Sequence, residues 1–396
     1  MQHPITPSPF LLDPEITYLN FGSFGACPLP IFEDYQRWQR ELEAEPVQFI
    51  NVNGPRYLLE SRRALAEYIR CHPDDLVYVP NPSYGINIIA KSFPLQPGDE
   101  ILSTDLEYGA CDRTWKYYCQ KKGAAFVRRP VRLPVKSKEE MVEEFLAGIT
   151  PRTRAIFISH LTSATALLLP VAEICAAAHR RGMITIVDGA HIPGHLPLDL
   201  GALAADIYTG ACHKWMMTPK GSSFLYVKKE LQPLFDPLLI SWGYESPHPS
   251  HSQFLDYHQN QGTRDISAFL TIPRAIRFMA EHQWPVRAAA ARELVIDNAG
   301  RFCDLLGTEP ICPLNADFLG QMFAVFIETP DFEKLKRHLF EVHRIEIAIN
   351  PFGARALLRY SINAFNSQAD LDKLFDALRQ TAAQSNLLHL GSRVSA

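Results

Sequence analysis

The sequence predicts an α/β protein built on a mostly parallel, doubly wound sheet, with a smaller C-terminal α/β domain. Three observations carry this. Between residues 76 and 227, short apolar runs rich in β-branched residues alternate with stretches of helical periodicity, the pattern of repeated strand–helix–strand units. The chain has 396 residues, too many for one ordinary core. From Ile266 the composition shifts to long amphipathic helices, 267–282 and 286–306, followed by short strands and helices. Residues 20–265 are expected to form a large domain. Residues 1–19 and 266–385 would form a small domain with an N-terminal arm, and 386–396 a frayed tail.

The arm contains the glycine-rich string TYLNFGSFGACP, whose Asn20, Gly22, Ser23 and Gly25 read as a turn with polar atoms able to edge a site. Amphipathic helices follow at 29–45 and 56–71. On the first, Phe32, Tyr35, Trp38 and Leu42 form an apolar packing stripe. A strand at 76–80 runs into NPSYGIN (81–87) and then a helix. A turn feeding a helix N-terminus leaves N–H groups unpaired at the positive end of the dipole, a ready phosphate site. Ser83 adds a hydroxyl there, and Pro82 has no N–H to offer, so Ser83 and Tyr84 would carry the contact. Strands at 100–103, 124–129 and 154–159 alternate with helices at 109–122, 138–148 and 171–181.

The next strand, 184–187, ends in Asp188, at the carboxyl edge where open α/β sheets place their ligands. A second strand, 206–209, delivers Gly210 and the pair His213–Lys214. A carboxylate on one strand end and a lysine 26 residues later suit pyridoxal phosphate. That cofactor needs an amine for a Schiff base and an acid that keeps its pyridine nitrogen protonated, so that the ring acts as an electron sink. A strand-end aspartate can also be a helix cap, and a lone lysine a solvated charge. Asp188, His191 and His195 also stand at metal-ligand spacing, but Pro193 and Gly194 between the histidines deny them a shared helix face; no metal is expected.

After a strand at 222–227, residues 233–261 read as a long irregular segment rich in Trp, Tyr, His and Pro, the kind that serves function or an interface. Arg359 stands inside the apolar run of LLRYSINAFNS (357–367), where an unpaired guanidinium is costly. A planar fork aimed at a carboxylate resolves that cost, a structural salt bridge being the alternative.

Composition narrows the classes. Hydrophobic residues make up 47% of the chain and charged residues 21%, as in a soluble globular protein. The 39 basic and 43 acidic residues form no long run, which argues against nucleic acid or an anionic membrane as partner. Residues 1–12 lack the marks of a signal peptide, and no run of about 18 apolar residues predicts a membrane span. Eight scattered cysteines without CxxC spacing suit reduced thiols in the cytoplasm.

Taken together, these strings resemble the class V aminotransferase branch of the fold-type I pyridoxal phosphate enzymes. Its signature, D-x-A-[HQ] followed by H-K, is met by Asp188-Gly189-Ala190-His191 and His213-Lys214. The opening YLNFGSFG is similar to that of isopenicillin N epimerase-like members, with Phe21 in place of a histidine. The likeness spans Tyr18 to Asn366. It implies Lys214 as Schiff-base lysine and general base, Asp188 on the pyridine nitrogen, and Tyr108 stacked on the ring. It further implies His191 on the phenolic oxygen, and Ser163 on that oxygen or on the substrate carboxylate. Ser83, Tyr84, Thr209, His213 and the partner subunit's Thr263 would hold the phosphate, which implies a homodimer. Arg359, in the R-x-S motif, would bind the substrate carboxylate, with Asn20 at the edge of the substrate site.

The implied reaction is epimerisation at the α-carbon of an amino acid or amino-acid side arm through an external aldimine. C–S lysis, β- or γ-substitution and transamination stay open. Non-catalytic cofactor binding is a further class, against which the intact Lys214 and Asp188 argue. Cysteine desulfurases carry a sulfur-accepting cysteine shortly before the R-x-S arginine. Residues 341–358 hold none, and Cys312 is the nearest upstream, so persulfide-type desulfurase chemistry is not expected.

Overall fold

The computed structural model describes residue 5 and residues 8–391. Strand β1 (Thr17–Tyr18) lies in the N-terminal arm. Seven strands then build the central sheet: β2 (Leu76–Val79), β3 (Glu100–Thr104), β4 (Ala125–Arg129), β5 (Thr153–Ser159), β6 (Ile184–Asp188), β7 (Ile207–Ala211) and β8 (Ser223–Val227). Their spatial order is β2-β8-β7-β6-β5-β3-β4. The five strands β3 to β7 run parallel, whereas β8 pairs antiparallel with both β7 and β2. The antiparallel insertion follows from the connection between β7 and β8, residues 212–222, which holds no helix and falls short of the crossover that a parallel pair needs.

Alternate residues of one strand feed opposite faces, as the pleat requires. Ile186 joins the core under the helices Pro82–Ser92 and Gly109–Lys121, with Val77, Val79 and Phe157. Val187 joins the opposite core, with Tyr78, Ile156, Ile158 and Tyr208. The central strands are therefore largely apolar on both faces, and Thr185 and Thr209 within them are buried with their hydroxyls hydrogen-bonded.

A second sheet, β11-β12-β9, is antiparallel and comprises β9 (Met322–Ile327), β11 (Ala348–Phe352) and β12 (Arg355–Ser361). The short β10 (Ile345–Glu346) pairs parallel with β1, setting Tyr18 opposite Glu346. This pairing ties the N-terminal arm to the C-terminal sheet, and the bridge between Asn20 and Ser361 extends the tie to β12.

Several expectations differ from the structure. The irregular segment 233–261 contains a helix, Gln253–Gln259, whose N-terminus is capped by Ser252 accepting the Leu255 N–H. The expected helix 267–282 is two, Ser267–Leu270 and Ile272–Glu281, because Pro273 supplies no N–H to continue the ladder. The tail does not fray at 386: Leu388 is buried, and the Thr329 hydroxyl donates to the Leu387 carbonyl at 2.7 Å. The remainder of that tail call, residues 392–396, lies outside the described residues. Among the described residues, no helix is long and apolar enough to cross a membrane.

Candidate active site

Asp188 is the last residue of β6, in register with Ser159 of β5 and Thr209 of β7. It is 4% exposed. Its Oδ1 accepts the Ala190 N–H at 3.0 Å, and its Oδ2 accepts the Cys111 thiol at 3.5 Å. Burial raises its pKa, opposed by the Ala190 amide and the charge of Lys214. A buried carboxylate with one strong donor and one weak one is poised for a cationic N–H.

Lys214 follows β7 after a two-residue turn, with its Nζ 3.2 Å from His191 Nε2. Its ammonium has no ion-pair partner among the described residues, and burial pushes its pKa down to about 8. Asp188 works against that shift and Arg359 with it. The backbone of Lys214 is covered by the arm: a Cβ on Gly25, at φ +66°, would stand 2.5 Å from the Lys214 carbonyl and 2.6 Å from that of His213. Only glycine allows that approach.

His191 is buried, and burial holds its pKa well below the ordinary value, so the ring is neutral. The Trp215 indole N–H, which can only donate, reaches His191 Nδ1 at 3.4 Å. The proton of the neutral ring therefore sits on Nε2, 3.2 Å from Lys214 Nζ, which can accept it only as the free amine. Phe21 packs on Trp215 with ring centroids 5.1 Å apart, an apolar prop under that indole. His195 has other duties: it bonds the His191 carbonyl through Nδ1 at 2.8 Å and accepts the Gln321 N–H through Nε2 at 2.5 Å.

Arg359 lies on β12, the middle strand of its sheet, and is 2% exposed. No carboxylate is paired with it among the described residues. Its guanidinium instead donates to the Ser163 carbonyl, to Ser23 Oγ at 3.0 Å and to Asn20 Oδ1 at 3.4 Å, while Nε has no partner. Burial pushes its pKa down to about 10. The arm, the loop after β5 and β12 thus converge on one buried cation. Asn20 is held in turn by donating to Glu346 Oε1 at 2.9 Å.

At the other end, the helix Pro82–Ser92 meets β7, where a Cβ on Gly85 would come within 3.2 Å of Thr209 Oγ1. Ser83 sits in its first turn. The Tyr84 amide is capped by Asn81 Oδ1 at 2.9 Å, and its hydroxyl donates to Gln261 Oε1 at 2.9 Å. The expectation that the Tyr84 turn offers a bare amide is therefore corrected: the cap already satisfies it. Thr209 is also corrected as a phosphate ligand, because its hydroxyl is fully buried and donates to the Phe224 carbonyl at 2.9 Å. His213 Nδ1 is bonded to the Ser222 carbonyl at 2.7 Å, and burial lowers its pKa to about 4. Tyr108 caps the helix Gly109–Lys121 and is 49% exposed, and Thr263 is exposed in the loop after Gln253–Gln259.

Sequence reasoning missed Cys111, Trp215 and Glu107, whereas Ser23 stands where the arm was expected to edge a site. Cys111 lies three residues beyond Tyr108, one helical turn on, which is the signal that marks it in retrospect. Glu107 accepts the hydroxyls of Thr104 and Ser159, each at 2.6 Å, and burial pushes its pKa up to about 7. It is a second carboxyl, half-buried, close enough to Asp188 for their charges to interact.

The donor set fits pyridoxal phosphate: an amine with a lowered pKa, a buried carboxylate lacking an ion-pair partner among the described residues, and a neutral histidine 3.2 Å from the amine. Comparison with known proteins agrees. Residues 56–374 match the model of the aminotransferase class-V family. The chain is 34% identical to isopenicillin N epimerase of Amycolatopsis lactamdurans, over 93% of this chain and 96% of that one. It is 35% identical to the epimerase of Streptomyces clavuligerus, over 93% and 95%. Among solved structures, the cysteine desulfurase CsdA of Escherichia coli shares the fold, with a TM-score of 0.79 at 22% identity, covering 95% of this chain and 97% of that one. The chain belongs to the class V aminotransferase family, the fold-type I enzymes that use pyridoxal phosphate.

Proposed function

We propose that the protein epimerises the α-carbon of an amino acid or amino-acid side arm. The observation that carries the amino-acid reading is Arg359, a guanidinium buried without a carboxylate and close enough to Lys214 to lower its pKa. An α-carboxylate placed on Arg359 brings the α-carbon of the same molecule toward the lysine. Similarity to the two epimerases over 93% of the chain supports epimerisation in particular.

When bound, pyridoxal phosphate supplies an electron sink for the pair released at the α-carbon. The chain's own residues do the rest. The Lys214 amine is the covalent anchor and, as free base above about pH 8, the group that takes the α-proton on Nζ. Asp188 would keep a proton on the ring nitrogen, and the Nε2–H of His191 would serve the ring oxygen. Ser83, His213 and the Tyr84 hydroxyl would hold the phosphate, and Tyr108 would cover a ring face. Asn20, Ser23 and Ser163 fix the plane of the Arg359 fork, so that the carboxylate sets which bond at the α-carbon breaks.

Persulfide transfer is not proposed, since residues 341–358 carry no cysteine and burial beside Asp188 raises the Cys111 thiol well above its ordinary pKa. The shared fold with CsdA makes C–S cleavage the competing outcome. Incubating the holoenzyme with amino acids in deuterated water separates the two. Epimerisation exchanges the α-hydrogen and inverts the centre without releasing sulfide or keto acid. Release of either product, or conversion of the cofactor to its amine form, contradicts it. We place the protein in the cytoplasm as a homodimer, with no membrane or nucleic-acid partner.

A further inference from the structure

A cavity of about 340 Å³ opens beside the Arg359 corner, and Asn20 is its shared wall. Asn20 accepts from Arg359 on one hand and donates to Glu346 on the other, and Glu346 also lines the cavity. The β1–β10 pairing makes this arrangement: Tyr18 stands opposite Glu346 across the ladder, and Asn20 is two residues on, with the same facing. Tyr18 feels both groups, its pKa pushed up to about 12 by burial and by Glu346 while Arg359 lowers it. One charged group of each sign thus stands on either side of Asn20.

The walls add a second piece of chemistry. Tyr18, Phe24 and Phe340 are aromatic, and Phe24 is 66% exposed at the rim. Aromatic faces around a carboxylate favour a cation. The rim already holds one: the Arg344 guanidinium lies over the Phe340 ring, 5.5 Å from its centroid, and pairs with Asp13 at 3.7 Å. With Asp13 so paired, Glu346 is the carboxylate of the cavity without an ion-pair partner among the described residues.

We propose that this cavity is the subsite for the substrate's side arm and that it selects an arm ending in a cation. The proposal rests on Arg359 binding the α-carboxylate. From that anchor the arm passes Asn20 and lays its chain along the aromatic walls, with its charged end toward Glu346. An arm ending in a carboxylate would meet Glu346 as a like charge.

Arginine, citrulline and 2-aminopimelate test this. The first two are near-isosteric and differ in charge, and the third ends in a carboxylate. Spectral titration of the holoenzyme reads the affinity of each, whatever reaction follows. Arginine should bind on the order of ten- to a hundredfold more tightly than citrulline, as a charged hydrogen bond would give, and 2-aminopimelate most weakly. Glu346→Gln keeps an acceptor for Asn20 and should bring the arginine-to-citrulline ratio near one. Equal binding of arginine and citrulline, a preference for 2-aminopimelate, or a ratio unmoved by Glu346→Gln would overturn the subsite. If arginine is preferred but keto acid is released, the subsite stands and epimerisation falls. If the α-hydrogen exchanges but 2-aminopimelate is preferred, epimerisation stands and the subsite falls.

Discussion

Arg359 is a buried guanidinium with four neutral oxygens and, among the described residues, no carboxylate paired with it. Placing such a group in an apolar strand is costly unless a ligand completes it. Arg359→Ala should lower kcat/KM by a few orders of magnitude, since losing a partner in a buried charge pair costs roughly 3–5 kcal/mol. Arg359→Lys should raise KM while keeping the charge, because the bidentate geometry is lost. Cofactor absorbance should be unchanged in both; release of the cofactor with normal amino-acid binding would reassign the arginine. At Asp188 the expected outcome is the reverse. Asp188→Asn can still bond the ring nitrogen but cannot hold its proton, so kcat should fall by orders of magnitude with the cofactor largely retained. Near-normal turnover would reduce Asp188 to a structural role. Asp188 and Arg359 stand out in the sequence because each is a charge at the end or in the middle of an apolar strand, and Lys214 because it follows one closely. Cys111 and Trp215 do not, since their contacts depend on how a helix and a turn pack after the strands have formed.

The N-terminal arm shows what the glycines of YLNFGSFG are for. Gly25 is at φ +66° and presses on the carbonyls of His213 and Lys214, so backbone must move if a methyl is added. Gly25→Ala should cost more than about 1 kcal/mol, visible as a lower Tm, and should weaken activity by displacing the turn that carries Lys214. Unchanged Tm and activity together would show that the arm does not brace that turn. The apolar runs revealed the parallel strands because the central ones are largely apolar on both faces, while the edge strand β4 is half-exposed and carries two arginines. The runs could not reveal that β8 turns back between β7 and β2, because strand direction is fixed by the length of the connection and not by the apolar pattern. Thr209 misled for a related reason: its hydroxyl serves the β7–β8 hairpin that the sequence pattern did not disclose.

For the whole molecule, the arm, the loop after β5 and β12 come from distant parts of the chain, so the substrate corner exists only in the completed fold. The proposed homodimer would extend the same logic to a second chain through Thr263, which is exposed. Thr263→Ala should weaken cofactor binding, and mixing that variant with Lys214→Ala should restore one intact site per mixed dimer. Mixtures no more active than the two variants kept apart would place the whole site within one chain. Family strings covering most of the chain made the fold and cofactor legible, whereas the cavity beside Asn20 was not, being formed by β1 and β10 across more than three hundred residues.

The most direct measurement concerns Lys214. The holoenzyme is reduced with borohydride, digested, and the modified lysine located by mass spectrometry. The cofactor should be found on Lys214 and nowhere else, and Lys214→Ala should hold no reducible cofactor and have no activity. Cofactor fixed to a different lysine, or a Lys214→Ala protein that is still trapped by borohydride, would contradict the account.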